Sequence, residues 1–154
     1  MNSKRFQQAF SYACDLHAEQ KRKGKDVPYI SHLMGVAAIV LEHGGTENQV
    51  IAALLHDAVE DQDATFEAIQ ERFGDEVALI VNGCTNAETG PKSEWRGGQE
   101  KYFAQLSESG PSVWLVAKAD KLYNTRNILD DYRTVGESLW DRFTGGKDGT
   151  LWYY

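Results

Sequence analysis

Along most of this chain apolar residues recur at the spacing of one helical face, and nowhere in sustained alternation. Phe6, Ala9, Phe10, Ala13 and Leu16 share one side of a helix expected over residues 4–21. The segment KRKGKDVP ends it, because Gly24 and Pro28 are breakers and proline pushes the residue before it away from helix. Ser31 is placed to cap a second helix through Glu42, which stops at Gly44-Gly45. A third is expected from Glu47 to Asp61. Thr65 caps a short helix carrying Phe66, Ile69 and Phe73, closed by Gly74, and Asp75 starts one whose stripe is Val77, Ile80, Val81 and Cys84. The polar, glycine-containing stretch 87–98 reads as a loop. Tyr102, Phe103 and Leu106 mark another helix, and Pro111 suits the first turn of a long one reaching about Tyr132. The aromatic end GTLWYY is expected to pack back on the core or to begin a further helix. With no hairpin signal, the predicted fold is an all-α helical bundle in a single domain, residues 1–154.

Composition narrows the classes. No run approaches the roughly 18 apolar residues of a membrane span, and MNSKRFQQAF carries no secretory signal, so a cytoplasmic protein without a membrane partner is expected. A formal charge of −7 argues against nonspecific binding to nucleic acid, which needs a broad basic surface. A small phosphorylated substrate stays open, since it needs only a local basic patch or a metal. Cys14 and Cys84 form no CxxC pair and are expected as small buried residues.

Several acids fall where apolar residues belong. Val50, Ala53 and Leu54 define an inward stripe, and Asp57 and Ala58 continue it. An isolated carboxylate in such a place pairs, binds a metal or takes up a proton. His56 is its neighbour, and in HDAVED the acids Glu60 and Asp61 lie one turn beyond His56 and Asp57, placed to work on a water or to orient the ligands. The anomaly recurs where Val113, Val116 and Ala117 lead to Asp120 and Asn124. Two inward acids repel unless a cation lies between them. His32, at the start of the second helix, offers another imidazole. Two His and two Asp suit a first-row divalent ion such as Mn²⁺, Fe²⁺ or Zn²⁺ better than Mg²⁺. The competing structural reading is a buried network in which His56 and Asp57 bond to each other and Asp120 caps a helix. His17 and His43 read as surface or satisfied histidines.

Taken together, PYISHLMGVAAIV, AALLHDAVEDQDATFEAIQERFGDEVALIV and KADKLYNTRNI resemble the HD hydrolase domain of the RelA/SpoT family and its small single-domain relatives, over about residues 4–133. The resemblance implies an all-α HD-type fold and Mn²⁺-dependent hydrolysis of the 3′-pyrophosphate of guanosine tetra- and pentaphosphate by a stand-alone hydrolase. Carried onto matching positions, it implies His32, His56, Asp57 and Asp120 as metal ligands and Glu60 and Asp61 as the acids assisting the attacking water. It also implies Asn124 positioning phosphate or ribose, and Arg22 and Lys23 against guanine and phosphate. Lys118 and Lys121 stand near enough in sequence to offset substrate charge, and Tyr29 and Tyr123 to border the pocket. Leu33 stands where the family often has Pro, and the loop before His32 is a residue longer than in some relatives. The alternatives are an HD phosphohydrolase for another nucleotide, such as a nucleotide or nicotinamide-dinucleotide phosphatase, and a non-catalytic nucleotide-binding module.

Overall fold

The computed structural model describes residues 3–86 and 95–154, and among them the secondary structure is helical, with one isolated bridge between Lys21 and Pro28. Helices α1 (Lys4–Leu16), α2 (Ile30–Glu42) and α3 (Glu47–Leu55) come first. Then follow α4 (Ala58–Asp61), α5 (Phe66–Phe73) and α6 (Asp75–Cys84). Helices α7 (Trp95–Glu108) and α8 (Pro111–Val135), a 3₁₀ segment (Gly136–Arg142) and α9 (Gly146–Tyr153) complete the order. None of the described helices is long and apolar enough to cross a membrane. The predicted all-α class holds.

Helix α3 is the axis. Thr46 and Gln49 cap it reciprocally, the Thr46 hydroxyl accepting from the Gln49 amide while the Gln49 side chain accepts from the Thr46 amide. Val50 to Leu55 are all buried, so α3 is apolar all round and packs against α1, α2, α6 and α8. Ser3 caps α1 and Thr65 caps α5, each hydroxyl accepting an N–H three residues on.

The boundaries differ from expectation at informative places. α1 stops at Leu16, because residues 17–29 fold back on themselves: Arg22 donates to the Val27 carbonyl and Tyr29 to that of Gln20. Gly24 makes that return at φ +72°, a left-handed conformation that other residues rarely adopt. The α2 cap is Tyr29, and Ser31 lies inside the first turn. Helix α7 begins at Trp95, so the last four residues of the expected loop are helical, whereas 87–94 lie outside the described residues. Trp95 anchors that start by packing on Trp152 and Tyr153, at ring separations of 6.2 and 6.1 Å. The aromatic end does both things expected of it, forming α9 and stacking Tyr153 on Phe103 at 5.3 Å. Helix α8 runs on to Val135, where Gly136 takes φ +63°.

The third predicted helix is broken at His56–Asp57. His56 Nδ1 lies 2.9 Å from the Ala53 carbonyl, so that nitrogen carries a proton and donates it. This carbonyl is the one the Asp57 amide would use in a continuous helix. The side chain competes for it, Asp57 relaxes to φ −97°, ψ −1°, and α4 resumes at Ala58.

Helices α2 and α8 cross tightly at Gly35, where an added Cβ would lie 1.9 Å from the Tyr123 ring. Tyr123 also packs on His32 at 5.2 Å and donates its hydroxyl to the Ser31 carbonyl. We expect Gly35→Ala to force this crossing apart and cost about 1–3 kcal/mol of stability, the usual range for overpacking. Urea unfolding measures it, and an unchanged midpoint would show the crossing to be slack.

Candidate metal centre and cavity

The break in the third helix turns His56 and Asp57 toward the same point, where α2 brings His32 and α8 brings Asp120. His56 Nε2 lies 3.1 Å from Asp57 Oδ2 and 3.7 Å from Asp120 Oδ1. His32 Nε2 lies 3.4 and 3.3 Å from the same two oxygens. Ligand atoms of His32, His56 and Asp57 all fall within 4.8 Å of one another, and Asp120 joins them through both imidazoles. Both histidines are buried.

The donor set can be tested for a cation. With the His56 proton fixed on Nδ1, a neutral ring leaves a lone pair on Nε2, a fully buried atom with no hydrogen-bond partner. That lone pair faces two carboxylate oxygens. Three electron-rich atoms at these distances are stable with a proton or a metal ion among them. Burial opposes charge on His56, yet Asp57 and Asp120 hold its proton well above the usual imidazole range. Burial likewise opposes ionisation of both acids, but His56 and His32 drive Asp57 below the carboxylate range, and Lys121 with the histidines does so for Asp120. Two nitrogens and two carboxylates fit a divalent ion.

Outer partners fix each ligand. The Tyr29 hydroxyl donates to Asp57 Oδ2 at 2.7 Å, and burial and Asp57 both raise the phenol's pKa, which keeps it a donor. Asn124 donates to Asp120 Oδ1 at 2.6 Å, and Lys121 reaches Oδ2 at 3.0 Å. Arg22 donates to the Asn124 side chain at 2.9 Å, extending the chain of contacts to the fold-back loop.

Above this cluster lies a cavity of about 290 Å³, lined among others by Lys23, Glu60, Tyr102, Lys121 and Tyr153. Glu60 stands exposed at its edge, and desolvation raises its pKa even though the Asn86 amide donates to it at 3.2 Å. Lys121 is held over the Tyr153 and Tyr102 rings at 4.8 and 5.4 Å. Cys84 also lines the cavity, and burial pushes its thiol up to about 12, so it is a neutral wall.

Of the residues singled out in the sequence, His32, His56, Asp57, Asp120, Asn124, Glu60 and Lys23 meet here. Asp61 does not line this cavity; its carboxylate is exposed and accepts from Gln20 at 2.8 Å. Arg22 faces a neighbouring basic cavity of about 260 Å³, which shares Lys23, Tyr29 and Asn124 with the first. Lys118 lies in a different groove, over Trp114. The aromatic wall from Trp95, Tyr102 and Tyr153 was not anticipated. Cys14 is half-buried, a smaller burial than expected, and His43 is exposed with Nδ1 on the Ile39 carbonyl.

A family model described as an HD domain matches residues 9–150. The chain belongs to the HD domain family. This HD domain is 42% identical over 124 residues to guanosine-3′,5′-bis(diphosphate) 3′-pyrophosphohydrolase MESH1 of Xenopus tropicalis, covering 79% of this chain and 68% of that protein. To guanosine-3′,5′-bis(diphosphate) 3′-pyrophosphohydrolase of Aquifex aeolicus it is 39% identical over 128 residues, 82% of this chain but 18% of that much longer protein. Among solved structures, a metazoan ortholog of SpoT described as hydrolysing ppGpp superposes with a TM-score of 0.76 at 29% identity, covering 92% of this chain and 86% of the other. The sequence resemblance and the fold point to the same family.

Proposed function

We propose that residues 1–154 act as a single, cytoplasmic, divalent-metal-dependent phosphohydrolase domain that removes the 3′-pyrophosphate of guanosine tetra- and pentaphosphate, releasing pyrophosphate with GDP or GTP. The observation that carries this reading is the buried Nε2 of His56, without a hydrogen-bond partner and facing two carboxylates on the floor of a cavity. His32, His56, Asp57 and Asp120 are assigned as the ligands and Mn²⁺ as the ion, with Fe²⁺ or Zn²⁺ suited to the same donors. A bound divalent ion supplies Lewis acidity toward a phosphoryl oxygen and lowers the pKa of water.

The chain's own residues do the rest. Glu60, whose raised pKa makes it a stronger base than an ordinary glutamate, accepts a proton from the attacking water. The water oxygen bonds to phosphorus, the bond from phosphorus to the 3′ oxygen breaks, and that oxygen recovers a proton. Asp61 stands behind Glu60 and adds negative field beside Tyr29. Lys23 and Lys121 line the cavity and offset phosphate charge locally in a chain of net charge −7. Arg22 and Asn124, joined to each other, take the nucleoside side at the junction of the two cavities.

Product analysis after incubation with guanosine tetraphosphate and Mn²⁺, beside an Asp57→Ala control, tests the assignment. GDP and pyrophosphate from the unaltered chain alone support it. Turnover of another nucleotide with none of guanosine tetraphosphate rejects the substrate, and nucleotide binding without metal-dependent turnover rejects the enzyme.

A further inference from the structure

His17 is a buried imidazole, 2% exposed, that belongs to no part of the chemistry above. It lies just past the end of α1. Its ring lies nearly flat on that of Tyr29, with centroids 5.2 Å apart and planes 16° from parallel. Tyr29 is the residue whose hydroxyl donates to Asp57 Oδ2, the oxygen that also faces His56 and His32. The imidazole is itself fixed. Its Nδ1 meets the Gln20 side-chain oxygen, which also accepts from the Gln62 amide at 2.6 Å. Gln20 spends its own amide N–H on Asp61 at 2.8 Å. With two donors on its oxygen and a carboxylate on its nitrogen, this amide has one satisfactory orientation. An oxygen at Nδ1 in turn requires the proton there, so the tautomer of His17 is set as well.

Resting on the metal reading of the centre, we infer that His17 is a positioning residue: locked by Gln20, it buttresses Tyr29 so that the phenol stays hydrogen-bonded to Asp57. The physical basis is simple. A tyrosine hydroxyl at 2.7 Å from a ligand oxygen fixes that carboxylate's rotation only while its own ring is held, and the flat face of His17 holds it. Outer partners of this kind are commonly worth about 10–100-fold in metal affinity. The arrangement also links two stretches of chain, because Gln20 ties His17 to Gln62 and Asp61 at the far end of HDAVED.

The test is Mn²⁺ affinity, measured by calorimetry on the full chain without nucleotide. We expect His17→Ala to raise the Mn²⁺ Kd at least about 10-fold, Tyr29→Phe to do the same, and the double variant to be no weaker than Tyr29→Phe alone. His17→Phe keeps a flat ring on Tyr29 and is expected to restore affinity to within about 3-fold of the parent, whereas His17→Leu, which fills the space without a flat ring, is not. Long-range ¹⁵N correlation on the metal-free chain should place the His17 proton on Nδ1, and Gln20→Leu should release it. Unchanged affinity in His17→Ala, losses that multiply in the double variant, or a proton on Nε2 would overturn the inference while leaving the centre intact. A parent chain that binds no divalent ion would overturn the metal reading together with it. The identity of the nucleotide substrate has no bearing on any of these readings.

Discussion

Asp57→Ala is expected to abolish Mn²⁺ binding and to lower turnover by at least about 10³-fold with the helical fold retained. Lewis-acid stabilisation by a bound ion is worth several kcal/mol, and each 1.36 kcal/mol is tenfold in rate, which sets that scale. The fold survives because the side chain removed lies at a break between α3 and α4, where no core packing depends on it. A thermal melt gives an independent check. With Mn²⁺ at 100 times its Kd the parent gains about 2.7 kcal/mol, on the order of 5–10 °C in a domain of this size. Asp57→Ala is expected to show no such rise. A variant that still melts higher with Mn²⁺ would mean that the ion binds elsewhere.

The second large effect concerns Glu60. Glu60→Gln is expected to lower kcat by about 10²–10⁴-fold, the span of a general base, with Mn²⁺ affinity essentially unchanged. The pH dependence follows from the direction of its shift. Desolvation raises the Glu60 pKa, the base works only when ionised, and kcat/KM therefore falls as pH drops through that raised value. The acid limb should stand above the ~4.3 of an ordinary glutamate and should vanish from the residual rate of Glu60→Gln. A limb unchanged in that variant would assign it to another group, and the exposed Asp61 would be the next to replace.

What could be read from the chain was the set of groups whose burial is costly. Asp57 and Asp120 were visible because each continues an apolar stripe, an anomaly that periodicity alone exposes. Glu60 followed from its place one turn beyond His56, and His32 from its place at the start of the second helix. Several features depend on folding back and leave no local signal. The contact between His17 and Tyr29 is made across the return of residues 17–29, and the lock on His17 is a neutral glutamine, which no charge pattern marks. The aromatic wall needs α9 to reach α7, so Tyr153 and Trp95 look like unrelated residues until they meet. The break at His56 was hidden because the spacing of Val50, Ala53, Leu54 and Asp57 is equally good for an unbroken helix. A side chain's claim on a backbone carbonyl overrode it.

That claim has a consequence for how position 56 tolerates change. One ring does two jobs at its opposite nitrogens: Nε2 looks into the cavity, and Nδ1 bends the main chain by occupying the Ala53 oxygen. Any residue lacking the second nitrogen gives the carbonyl back to the Asp57 amide, lets the turn wind up again and swings the neighbouring carboxylate off target. Loss of this histidine thus removes two ligands at once, and cysteine or aspartate in its place would restore a donor atom but not the direction of the chain.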